Sequence, residues 1–196
     1  MNNIIVLYDT EFTAWEGSMK RNWSKKNEYK ELVQLAALKV RMNNKIEIID
    51  KLNIIVKPVK NPVLSQYFIN LTGITNNNIK NKGVSFKKAL GDFYSFCKHN
   101  NKLVNVYSYG NDYTILKENM NYNKIPKKSK FRKWEEFFFD IRPIFDFHGI
   151  NTNKYTSGTV YKSLNIKPKN PIVHNAMWDT MSLFLTIKAL QNKSSL

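Results

Sequence analysis

Residues 4 to 8, Ile-Ile-Val-Leu-Tyr, form an unbroken apolar run that leads directly into Asp9-Thr10-Glu11-Phe12. No other feature constrains the fold of this chain as much. A strand with one wet face alternates apolar and polar residues, whereas a continuous run belongs to a strand covered on both faces, so layers must lie on either side of its sheet. Side chains two apart on a strand share a face, with Cβ atoms roughly 6 to 7 Å apart. Asp9 and Glu11 would therefore stand side by side where the buried strand ends. Desolvation and mutual repulsion both oppose two carboxylates in such a place. A bound cation removes both costs; a strand end that reaches water, with Asp9 capping a turn, is the alternative reading.

The remaining pattern supplies the layers. "ELVQLAALKVR" (31–41) and "KIEIIDKLNIIVKP" (45–58) alternate in part and are separated by the turn-rich "MNNK". With residues 3–11 they predict a three-stranded antiparallel meander, closed by Pro58 and Pro62. Residues 65–79 read as two short helical pieces broken at Gly73, and residues 85–99, which include Cys97, have apolar residues at helical spacing. A strand over 103–109 follows, then a helix over 111–122 with Asn111 or Asp112 near its start. The last element is a helix over 173–191 with an apolar face of Ala176, Leu183, Leu185, Ile187 and Leu190. This order predicts one α/β domain over 1–196, a mixed sheet flanked by helices. In such sheets ligands collect where strand ends meet helix starts. Asp9, Glu11, Asp112, His174 and Asp179 all lie at such positions.

The chain begins with a strand and has neither a signal-like segment nor an apolar run of the roughly 18 to 20 residues a membrane span needs. A cytoplasmic protein without membrane association is the expectation. One cysteine excludes an internal disulfide and a cysteine-based zinc site, which leaves Cys97 as a core thiol. The 31 Lys and Arg against 15 Asp and Glu give a formal charge of +16. Such a field attracts polyanions, nucleic acid above all. Abundant Lys, Asn and Ile would also follow from an AT-rich gene, so local clustering is the better signal. The densest cluster is "KIPKKSKFRK" (124–133), with six basic residues in ten. Lys127, Lys128 and Lys130 are expected to contact substrate phosphates; a solvated loop would have the same composition.

Four carboxylates, Asp9, Glu11, Asp112 and Asp179, would converge if the first strand, the later strand and the last helix are neighbours. Hard oxygen ligands in that number suit Mg²⁺ or Mn²⁺. Two such ions can activate a water and stabilise the leaving oxygen of an in-line displacement at phosphorus. His174, five residues before Asp179, is placed to take a proton from that water, or else makes a structural hydrogen bond at a helix start.

Here the chain resembles the DEDDh 3′–5′ exonucleases, a family with a ribonuclease H-like fold that includes ribonuclease T and bacterial proofreading subunits. The resemblance rests on "YDTEF" (Asp9, Glu11), "YSYGNDYTIL" (Asp112), "HNAMWD" (His174, Ala176, Asp179) and "LTGIT" (71–75), and it spans residues 4 to 185. "DTEFTAWEGS" and "ELVQLAAL" look most like stand-alone bacterial members near the sporulation-inhibitor-type predicted exonucleases. Trp178 and Thr180 beside Asp179 depart from the common pattern and bear on pocket shape.

The resemblance implies a two-metal exonuclease that trims single-stranded 3′ ends of RNA or DNA and releases nucleoside 5′-monophosphates, with His174 as the general base. Asp9 would bridge both ions, Glu11 and Asp179 would complete one site and Asp112 the other. The Phe12 backbone with Leu71, Thr72 and Ile74 would hold the terminal nucleotide, while Phe12 and Trp15 could stack on bases. A binding or regulatory module on the same fold is the alternative, but it predicts loss of a ligand. A related endonuclease would lack the His-x-Ala-x-x-Asp helix.

Overall fold

A computed structural model describes residues 3 to 194; the first two and last two residues of the expected domain lie outside the described residues. Three strands open the chain: β1 (Ile4–Phe12), β2 (Leu32–Met42) and β3 (Ile46–Ile55). The expected meander is present, with β2 antiparallel to both neighbours. Two short helices follow, α1 (Gln66–Thr72) and α2 (Asn76–Lys82), then α3 (Phe86–Phe96). Each has a side-chain N-cap, Ser65, Thr75 and Ser85 in turn, which satisfies a backbone N–H that the helix itself cannot. Gly73 separates α1 from α2 by adopting φ 73°, a left-handed C-cap that costs glycine little.

Cys97 caps α3 and is fully buried, as expected of a core thiol. The strand expected over 103–109 is divided. A two-residue hairpin, β4 (Lys98–His99) with β5 (Lys102–Leu103), precedes β6 (Val106–Ser108), which alone joins the main sheet. Helix α4 (Tyr113–Tyr122) comes next, then 3₁₀ turns, β7 (Phe138–Asp140) and α5 (Arg142–Phe147). Further 3₁₀ turns lead into α6 (Ala176–Ser194). That helix begins three residues later than the pattern suggests, because Asn175 accepts from the backbone of Met177 and Trp178 and so serves as its cap.

The main sheet has the order β3-β2-β1-β6-β7, with β6 parallel to both β1 and β7. Strand β1 is thus interior and has a layer on each face, which accounts for its unbroken apolar run. Val6 and Tyr8 pack with Phe86, Leu90, Phe93, Leu116 and Trp134 on the α3 and α4 side. Leu7 packs with Leu38, Leu183 and Phe145 on the α6 side. Each such fully buried large side chain contributes about 1.5 to 3 kcal/mol of apolar transfer. By alternation, Asp9 and Glu11 continue the Leu7 face toward α6. Among the described residues, no helix is long and apolar enough to cross a membrane.

Candidate active site

The end of β1, the start of α4 and the first turn of α6 meet around a cleft of about 240 Å³. Asp9 and Glu11 enter it from β1, Asp112 from the residue before α4, Asp179 from α6 and His174 from the loop before α6. All five residues expected from the motifs line this one cleft. Ligand atoms of Asp9, Glu11 and Asp179 lie within 4.8 Å of one another. That spacing suits oxygens that share one cation at about 2.0 to 2.6 Å. Asp112 stands outside this triad. It occupies the N-cap position of α4 but makes no side-chain cap; its Oδ2 instead accepts from the Thr10 hydroxyl at 3.1 Å.

Helix α6 is seated by residues that carry no reactive chemistry. Gln34, opposite Glu11 in the β1–β2 register, accepts the Ala176 N–H at 3.1 Å and donates to Asn53 at 2.9 Å. Thr180, fully buried, donates to Ala36 O and to Ala176 O, which ties the first turn of α6 onto β2. Asp179 is thereby held over β1. The partner of Glu11 is Gln34 and that of Phe12 is Leu32, so the register slips at this point. Such an irregularity re-aims the strand end beside a site.

A strap over residues 156–158 closes the far side of Asp179. The Ser157 hydroxyl donates to Asp179 Oδ2 at 3.3 Å, and the Trp178 indole N–H donates to Gly158 O at 3.1 Å. Trp178, a departure from the family pattern, thus fixes the strap. A Cβ on Gly158 would collide with the Asp179 carboxylate, so only glycine allows this approach. The Tyr109 hydroxyl holds the chain that leads into this strap by donating to Thr152 O at 2.6 Å and Tyr155 O at 3.2 Å.

The electrostatics call for a cation. Burial, then the charges of Asp112, Asp179 and Glu11, hold the Asp9 carboxyl well above the usual range. Burial, then Asp179 and Asp112, push Glu11 up to about 8. Burial outweighs the Thr10 hydrogen bonds and pushes Asp112 to about 7. Burial likewise outweighs Ser157 and pushes Asp179 to about 7. Arg142, whose charge is a small lowering influence on Asp112, is engaged by Asp140 at 2.7 Å. Among the described residues no ion pair reaches any of the four carboxylates. Asp179 Oδ1 is buried with no hydrogen-bond partner. An orphaned carboxylate oxygen in an all-oxygen cluster that no ion pair neutralises fits a hard divalent cation.

His174 departs from its expected setting. It precedes α6, is exposed, and has φ 62°, an uncommon left-handed conformation for a residue with a side chain. Phe12 and Leu71 line the cleft, whereas Trp15, Thr72 and Ile74 do not. Thr72 and Ile74 are buried, and the Thr72 hydroxyl joins Phe68 O to Ile74 N at the end of α1. The Trp15 backbone N–H donates to Ser18 Oγ at 3.1 Å. The aromatic wall comes instead from Trp23, 5.4 Å from Phe12 between ring centroids, and from Tyr67, with Met19 beside them at 80% exposure. Trp23 has no periodic neighbour in the sequence; its indole bond to Thr13 O, 2.9 Å, and its packing on Phe12 bring it back over the strand end. Lys127, Lys128 and Lys130 lie beyond the C-terminal end of α4, outside the cleft lining.

A family model described as an exonuclease, RNase_T, matches residues 6–185. No curated protein matches the chain. Among solved structures, the nuclease domain of 3′hExo, a DEDDh family member bound to rAMP, is similar with a TM-score of 0.77 at 17% identity. That match covers 98% of this chain and 93% of that domain. The cell-death related nuclease CRN-4 matches with a TM-score of 0.72 at 18% identity, over 97% of this chain and 64% of the other. Exonuclease I of E. coli in complex with a dT13 oligonucleotide matches with a TM-score of 0.67 at 14% identity, over 98% of this chain but 42% of that one. At such identities the likeness establishes the fold, the ribonuclease H-like mixed sheet expected from the sequence.

Proposed function

The chain belongs to the RNase_T exonuclease family, and on that premise we propose that it is a metal-dependent 3′–5′ exonuclease acting on single-stranded RNA or DNA and releasing nucleoside 5′-monophosphates. The observation that carries this reading is the triad of buried Asp9, half-buried Glu11 and buried Asp179 within 4.8 Å, with no cationic side chain in an ion pair to offset it. One exonuclease domain over 1–196, in the cytoplasm, is part of the same reading. So is placement among stand-alone bacterial members near the sporulation-inhibitor type, which rests on "DTEFTAWEGS" and "ELVQLAAL".

In this reading Asp9, Glu11 and Asp179 would hold one Mg²⁺ or Mn²⁺, and Asp9 with Asp112 would hold a second. When bound, the ions supply the charge that acidifies an attacking water and offsets charge on the leaving oxygen. His174, at the mouth of the cleft, takes the proton from that water. Phe12 and Leu71 offer an apolar surface to the terminal nucleotide, and Thr72 and Ile74 shape the turn that carries Leu71. Trp23 and Tyr67 take the stacking role expected of Trp15, at about 1 to 3 kcal/mol per base. The complete ligand set weighs against a binding module without turnover.

The test uses RNA and DNA with 3′ overhangs, labelled at the 5′ end, with Mg²⁺, Mn²⁺ or EDTA. A ladder that shortens from the 3′ end only with metal is expected. Internal cuts, or a 3′ ladder that persists in EDTA, would refute the reading.

A further inference from the structure

Between Tyr122 and Trp134 the chain carries Lys124, Lys127, Lys128, Lys130, Arg132 and Lys133 and no acidic residue. Among the described residues the ion pairs are Arg21–Glu28, Arg41–Glu47, Lys88–Asp92, Lys117–Glu135 and Arg142–Asp140, so none neutralises this segment. A run of charge that serves only solubility needs no fixed shape. This one has a shape. Ser129 Oγ accepts the Phe131 N–H, and Arg132 donates to Asn121 Oδ1 at 2.8 Å and to Ile125 O at 3.1 Å. Ile125 and Trp134 are buried in the core at its two ends.

The segment also faces a second basic element. The Lys130 ammonium lies 4.8 Å from the centroid of the Tyr94 ring, and the Lys98 ammonium of β4 lies 4.7 Å from the same ring. Phe131 braces that ring edge-on at 5.4 Å. Two ammonium groups thus lie against one aromatic side chain, and neither is in an ion pair among the described residues. An anion bound beside this ring is attracted by both charges, and the ring keeps both lysines in place.

We propose that residues 124–133, with Tyr94 and Lys98, form a platform that binds the phosphate backbone of a single-stranded polynucleotide outside the catalytic cleft. The identity of the ligand rests on the nuclease reading above. Asp112 lies in the cleft at the start of α4, and the platform follows the other end of that ten-residue helix. At 1.5 Å per residue the two are separated by about 15 Å along the helix axis. A strand stacked at about 3.4 Å per nucleotide covers that distance in roughly five nucleotides. A trimer therefore engages the cleft alone, and a 20-mer engages both. The platform makes the enzyme prefer long strands without touching the scissile bond.

The test compares oligouridylates of 3 and 20 nucleotides with the wild type and with Lys127→Gln/Lys128→Gln/Lys130→Gln, at 50 to 200 mM salt. The wild type is expected to show a higher kcat/KM on the 20-mer. The triple variant should lower the 20-mer to trimer ratio by about tenfold or more at 50 mM salt. It should also flatten the log–log salt slope on the 20-mer by about 2, at 0.7 per single-strand contact. A ratio and slope equal to those of the wild type would assign the segment to solvation and overturn the proposal. So would an equal loss on both lengths, with Tm as the check on folding. If the wild type cleaves neither these strands nor oligothymidylates of the same lengths, the nuclease reading fails, and fluorescence anisotropy of the labelled 20-mer still decides the platform: an unchanged salt slope refutes it.

Discussion

Replacing Asp9 with Asn should make the metal-free protein more stable while removing its response to metal. Asp9 is 7% exposed and sits among Glu11, Asp112 and Asp179 with no cation near. Its folded pKa, like theirs, lies above the unfolded value, so between about pH 4 and pH 8 the native state holds more protons than the unfolded chain. Stability therefore falls as pH rises through that window. The penalty is complete above the folded values and absent below the unfolded ones.

At about 1.36 kcal/mol per pH unit, a carboxyl moved from 4.5 to about 8, as Glu11 is, costs on the order of 5 kcal/mol at alkaline pH. Water entering the cleft reduces this, and about 1 to 3 kcal/mol is expected from removing one charge. For a chain of this size 1 kcal/mol moves Tm by about 2 to 4 °C. Asp9→Asn in EDTA at pH 8 should thus melt about 3 to 10 °C higher than wild type, a gap that shrinks toward pH 4. Mn²⁺ at about a hundred times its Kd should stabilise wild type by about 2.7 kcal/mol and the variant far less. Thermal unfolding by circular dichroism across pH, in EDTA and in Mn²⁺, reads both effects. A variant that melts lower than wild type in EDTA at pH 8, or that keeps the full Mn²⁺ shift, would refute the reasoning.

Three other outcomes follow from the same geometry. His174→Ala should lower kcat by about 10² to 10⁴-fold while calorimetric Mn²⁺ titration stays near wild type; loss of Mn²⁺ affinity as severe as that of Asp179→Ala would make His174 a ligand or a structural residue. Gly158→Ala drives a methyl into the Asp179 carboxylate and should weaken Mn²⁺ binding by about 10 to 100-fold, the range for residues that orient ligands, with an unchanged isotherm as the contrary result. Gln34→Met leaves the buried Ala176 N–H without its acceptor and should cost about 1 to 3 kcal/mol, seen as a Tm lowered by several degrees in urea-free buffer; a Tm equal to wild type would show that Gln34 does not seat α6.

What the sequence alone determined is what depends on repeated, local patterns. The unbroken run over 4–8 implied a strand with two covered faces, and the spacing of Asp9 and Glu11 placed both on one of them. Alternation around "MNNK" implied the meander, and helical spacing over 85–99 implied α3, which ends at Phe96 because Lys98 and His99 pair as β4. These elements are long enough for burial to imprint a period on composition.

Residues 134–172 carried no such imprint. They form 3₁₀ turns, a three-residue strand and a six-residue helix, each too short to repeat a period often enough to show as a pattern. Their conformations are set by distant partners: Tyr109 holding Thr152, Trp178 holding Gly158, Asp140 engaging Gly110. For the same reason sequence reading named Trp15 and missed Trp23, and started the last helix at 173 where the cap at Asn175 starts it at Ala176. Only the tertiary structure turned Asp112 away from capping α4 toward Thr10, and gave His174 a left-handed backbone at the mouth of the cleft. Side-chain direction at an element's end depends on contacts made across a hundred residues, and no local period encodes those.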